Sequence, residues 1–124
     1  MDMVANFLVA FVALLHLIFL VLEMFLWQTP FGKKLFGMSK EKALMTAVLA
    51  KNQGLYNGFL AAGLIWTFFI PDTHFQYQLR IFLLICIIIA AIYGGITAKG
   101  SILLIQGLPA LLALIAVLRL ITLS

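Results

Sequence analysis

Within the apolar run His16-Leu-Ile-Phe-Leu-Val-Leu-Glu23 stands an acidic residue, the one of the chain's four acids that falls inside such a run. A carboxylate at bilayer depth is costly, turns toward the interior of a helix bundle, and by default marks a functional site. His16 precedes Glu23 by seven residues, two helical turns, so both project from nearly one face. Their separation along the axis is about 10 Å, too far for a hydrogen bond but wide enough for water, a ligand or a side chain from another helix. A second polar group is written into Lys51-Asn52-Gln53-Gly54-Leu55-Tyr56-Asn57-Gly58. Gln53 and Asn57, four apart, share a helical face, and Asn52 points elsewhere. Tyr93 and Gln106 complete the set of polar residues in apolar surroundings. A carboxylate among amides and a phenol could hold a cation or an amine, or exchange a proton.

The elements that carry these residues follow from composition. The chain has 124 residues, of which 65% are hydrophobic and 10% charged, and its mean hydropathy is +1.21. Soluble domains are about 25% charged, so this is the composition of an integral membrane protein. Nucleic-acid binding, a secreted fate and a disulfide scaffold are excluded as classes, and the single cysteine, Cys86, forms no internal disulfide or cysteine-based metal site. The N-terminus lacks a basic segment, and the apolar stretch behind it is too long for a signal peptide, so it reads as a retained span.

Val4 to Leu22, Asn52 to Phe69, Ile81 to Ala98 and Gly100 to Leu118 contain no Asp, Glu, Lys or Arg. Each has about the 18 residues needed to cross. The expectation is an all-α polytopic membrane protein: one domain, residues 1–124, with four transmembrane helices in a compact bundle at about 4–27, 52–70, 80–98 and 101–121. The connection 28–51 opens on a Thr29-Pro30 turn and continues as Ser39-Lys40-Glu41-Lys42 and good helix formers. It predicts a short helix at the membrane surface or an extension of the second span, with a break near Asn52-Gln53-Gly54. Lys33, Lys34, Lys40, Lys42, Lys51 and Lys99 fall on one side and Arg80 and Arg119 on the other. The positive-inside rule then puts loop 28–51 in the cytoplasm and both termini outside.

On that topology Glu23, Asn57, Tyr93 and Gln106 each sit roughly 6 to 8 Å inside the cytoplasmic boundary, so all four helices lend a polar group to one layer. Pro109 frees the carbonyl of Ile105 in the same region. The ridges Gly54-x-x-x-Gly58-x-x-x-Ala62, Ala90-x-x-x-Gly94 and Ala91-x-x-x-Gly95 let helix backbones approach, within one bundle or between the subunits of a homo-oligomer. Each polar residue also has a plainer role. Glu23 could reach the interface, His16 could be a satisfied interhelical partner, Tyr56 and Tyr93 could belong to an aromatic belt, and the lysines could meet anionic lipid. The sequence contains no nucleophile elbow, no His-Glu-x-x-His, no phosphate-cradling glycine loop, no Cys-x-x-Cys and no acids at metal-ligand spacing. No catalytic residue, metal or cofactor is expected.

His16 to Trp27, the turn Thr29-Pro30-Phe31-Gly32-Lys33-Lys34-Leu35-Phe36-Gly37, Lys51 to Gly63 and Tyr93-Gly94 resemble the small four-span bacterial membrane proteins grouped as domain of unknown function 1304. The resemblance covers nearly the whole chain. It implies a bacterial inner-membrane protein of this length and brings no established activity. In outline, four spans with one glutamate on the first, the chain is also similar to small multidrug-resistance transporters, an analogy of fold only. Three functions remain: binding or transport of a small molecule or cation through Glu23, a structural or interaction module whose polar layer sets helix packing, and a lipid-modifying enzyme using Glu23 and His16.

Overall fold

The structure, a computed structural model, describes residues 2–123 and is all-α among them. Helix α1 spans Met3–Met24, the six-residue α2 Pro30–Leu35, α3 Lys40–Thr67 and α4 Thr73–Thr97. The chain then continues through a short α5 (Gly100–Ile102) and a π-helical segment (Leu103–Gly107) into α6 (Leu108–Leu123). Side-chain caps open the first four. The Asp2 carboxylate accepts the Ala5 N–H at 2.9 Å, Thr29 that of Gly32, Ser39 that of Lys42, and Asp72 those of His74 and Phe75. Each satisfies a donor that the helix start would otherwise leave bare. Pro30 stands at the first position of α2, where its missing N–H costs nothing, and Gly37 ends that turn at φ 63°, which favours glycine.

Three helices, Met3–Met24, Thr73–Thr97 and the continuous Gly100–Leu123, are long and apolar enough to cross a membrane. The expectation of four spans is therefore met in length by four helices and in apolarity by three. Helix α3 has 28 residues but carries Lys40, Glu41, Lys42, Lys51, Asn52, Gln53 and Asn57. The expected break at Asn52-Gln53-Gly54 does not occur. The Asn52 and Gln53 side chains point outward and leave the backbone ladder alone, and no proline interrupts it. Lys40 to Lys51, capped by Ser39, is thus the first half of α3 and not a separate interfacial helix. The short helix of the first connection is α2.

Helix α1 packs most extensively on α3 and also touches α6, while α4 touches α6, the π segment and α3. The core is made mostly of small side chains: Ala5, Val9, Val12 and Ala13 of α1, Leu64 of α3, Leu84 and Ile87 of α4, and Ala110, Ala113, Ala116 and Val117 of α6. Large apolar residues such as Phe7, Ile89, Ile96 and Leu104 lie outside. Large outside and small inside suits a lipid surround, where helices gain from close backbone approach and not from hiding apolar area. The π segment lies just before Pro109, whose nitrogen cannot donate to Ile105, and the wider turn accommodates the missing bond.

Candidate functional site

Glu23 sits in the last turn of α1 and Asn57 near the middle of α3. Asn57 belongs to the stripe Ala43, Ala47, Ala50, Gly54, Asn57, Ala61, Leu64, the buried face that α3 turns inward. The glycines of that face set the distance. A Cβ on Gly54 would come 2.7 Å from Met24 Cγ and 3.1 Å from Glu23 Cβ, and one on Gly58 would come 2.5 Å from Leu20 Cδ1. Hydrogens in these places let α1 lie close to α3, where the Asn57 Nδ2 donates to Glu23 Oε1 at 2.5 Å. Asn57 is buried. The second oxygen, Oε2, takes no hydrogen bond among the described residues and is not sealed from its surroundings. Nor is Glu23 ion-paired, since the one salt bridge among the described residues joins Arg119 to Asp2. Half of the carboxylate is held and half is open.

The other residues of the expected site lie apart. His16 is fully buried two turns along α1. Its Nδ1 is 2.8 Å from the Val12 carbonyl, its ring meets the edge of Phe19, and its Nε2 has no hydrogen-bond partner. Asn52, Gln53 and Tyr56 line the outer face of α3, where the Tyr56 ring meets Phe59 of its own helix edge-on. Tyr93 is 70% exposed, and Gln106 is half-buried in the π segment. Glu23, Asn57, Tyr93 and Gln106 therefore do not close into one layer within a single chain. The reason is rotational: Ala91 and not Tyr93 occupies the inward face of α4. Gly94 and Gly95 lie under Ile102 and Leu103, so their approach serves the turn from α4 into α5.

Two clefts of about 290 Å³ are present, and neither includes the pair. One is bounded by Met24, Phe25, Trp27, Gln28, Thr29, Ala47 and Lys51 at the lysine-rich end. The other is apolar and runs between Leu8, Phe11 and Leu15 of α1 and Leu104, Ile105, Leu108, Pro109 and Leu112. Trp27 fixes the rim of the first, its Nε1 donating to Thr46 Oγ1 at 3.0 Å and its ring leaning on Phe36. No group of three His, Cys, Asp or Glu among the described residues could hold a metal ion.

The sequence reading missed the opposite end. Arg80, taken there as a topological charge on the outer face, is 1% exposed. Its Nε donates to Thr67 Oγ1 at 2.9 Å and its Nη1 to Asn6 Oδ1 at 2.8 Å, joining α4, α3 and α1. Gln76 Nε2 donates to the Thr67 carbonyl beside it. The missed signal is periodicity, because Arg80, Leu84, Ile87 and Ala91 form one inward stripe. At the same end, Asp2 both caps α1 and binds Arg119 at 2.5 Å. The Ala5 N–H first, and Arg119 with it, hold the Asp2 carboxyl below its ordinary value.

Comparison with known proteins finds a family described as "Protein of unknown function (DUF1304)", matched over residues 10–118. The chain is also 39% identical over 107 residues to the uncharacterized protein YpaA of Lactococcus lactis subsp. lactis, covering 85% of this chain and 88% of that one. No solved structure matches.

Proposed function

Since this chain belongs to the DUF1304 family, which carries no assigned activity, we propose a role from its geometry: a bacterial inner-membrane protein that binds or transports a small cation or protonated amine at Glu23. In this reading α3 is the fourth span from about Asn52 onward, its lysine-bearing first half projects into the cytoplasm, and both termini lie outside. The observation that carries it is the half-held carboxylate. Asn57 fixes Oε1, while Oε2, unpaired with any cation among the described residues, is free to accept a donor. A positive ligand is attracted more strongly there than in water, because lipid and packed helices screen little.

The test uses tetraphenylphosphonium as a probe cation on the purified protein in detergent. Wild type should bind it with a signal that Glu23→Gln abolishes. Equal binding by the two would remove the reading.

A second reading is favoured by a specific observation, that neither cleft includes Glu23. The Glu23–Asn57 bond above the Gly54 and Gly58 contacts would then fix the register of α1 on α3, and the outward amides and tyrosine of α3 would face a second copy. It predicts that Asn57→Leu changes oligomeric state or melting temperature in a protein that binds no probe cation. The geometry lends nothing to a Glu23–His16 enzyme, because His16 is enclosed and its Nδ1 is engaged by its own helix.

A further inference from the structure

Arg80 is the one cation among the described residues that is wholly buried, and its partners are all neutral. The hydroxyl of Thr67 donates to Leu64 O at 2.6 Å, which leaves its lone pairs for Arg80 Nε. Asn6 offers an amide oxygen, and the Phe68 ring lies against the guanidinium with its centroid 4.5 Å from Cζ. The third nitrogen, Nη2, is enclosed and has no hydrogen-bond partner. No acidic side chain among the described residues is free to serve. Asp2 is committed to Arg119 and the start of α1, Asp72 caps α4, Glu23 holds Asn57 at the other end of the bundle, and Glu41 lies in the first turn of α3, beyond the level of Glu23. A desolvated guanidinium with unspent donors and no counter-charge is among the costliest arrangements a protein interior can hold.

We propose that Arg80 is an anion site, at which an oxyanion accepts from Nη2 and supplies the negative charge that its partners among the described residues do not. Guanidinium suits such a ligand, since its planar N–H groups match the oxygens of carboxylate and phosphate. The way in passes Phe68, which is 38% exposed. It sits in a final turn of α3 closed by i→i+3 bonds, Phe68 N to Ile65 O and Phe69 N to Trp66 O. Such a turn is held less firmly than the helix before it. Thr67 in the last turn of α3 and Asn6 in the first turn of α1 put the guanidinium near the helix ends, and in the spanning arrangement proposed above those ends meet the lipid headgroups. The oxyanion is therefore the phosphate of an anionic lipid or a small anion from the aqueous phase.

The experiment measures the melting midpoint of delipidated protein in zwitterionic detergent and buffer, with sodium phosphate, phosphatidylglycerol or phosphatidylcholine added. A comparison variant, Asn6→Asp, installs a carboxylate against Nη1 and so provides the counter-charge internally. Wild type should gain about 4 °C or more with phosphate or with phosphatidylglycerol, the responding arm naming the source, and nothing with phosphatidylcholine. Asn6→Asp should melt higher than wild type without any addition and respond to none of the three. A wild type indifferent to both anions, or an Asn6→Asp protein that responds as wild type does, overturns the proposal.

Discussion

The two ends of the bundle treat a charged group in opposite ways. At the lysine-rich end Glu23 receives one hydrogen bond, from Asn57, and keeps an oxygen open. At the other end Arg80 is enclosed and tied to three helices. A carboxylate with an open side can be hydrated, protonated or bound, so its environment tolerates change. A sealed guanidinium can do none of these unless something enters, so its neighbours carry the cost of its charge. The first arrangement is open to exchange as it stands, and the second only once an anion enters.

That contrast can be broken by removing one partner at each end. Asn6→Leu strands Arg80 Nη1 and should cost about 3 kcal/mol of stability, a large drop in melting temperature in detergent. Gly58→Val forces a side chain into Leu20 and separates α1 from α3, costing about 2 kcal/mol and weakening the Glu23–Asn57 bond with it. Asn57→Leu, at the open end, should cost only about 1 kcal/mol, because Glu23 can turn to water or take a proton. Equal losses in Asn6→Leu and Asn57→Leu, measured by thermal or denaturant unfolding, would erase the distinction. The smallest effect belongs to Asp2. Its carboxyl is held below the ordinary carboxylate value, so its contribution is whole above about pH 4 and fades as pH falls through the lower folded value. Asp2→Asn should flatten that acid limb by lowering the melting temperature slightly at neutral pH while leaving it almost unchanged below the folded value.

Much of the fold was legible because lipid is an exacting solvent. Runs free of charge mark helices, since backbone groups in hydrocarbon must pair within their own segment, and α1, α4 and α6 follow from that alone. Helix α3 was harder. Its lysines, amides and Gly54 suggest a break, yet Gly54 is retained within a continuous helix because it lets α1 approach. The pairing of Glu23 with Asn57 was foreshadowed by residue type and depth. The exclusion of Tyr93 was not, because depth along an axis says nothing of rotation about it.

From the residues alone came the apolar helices, their punctuation by Thr29-Pro30, Pro71-Asp72 and Lys99-Gly100, and the rarity of buried charge that singled out Glu23. Those features are local, set by the solvent each segment must meet. Which charges became buried, and against whom, was decided only when the helices packed. Arg80 and Lys99 are both basic residues near the ends of apolar runs, yet one lies among α1, α3 and α4 and the other is exposed in a turn. The difference is where three helix axes converge, a property of the assembly that no single segment contains.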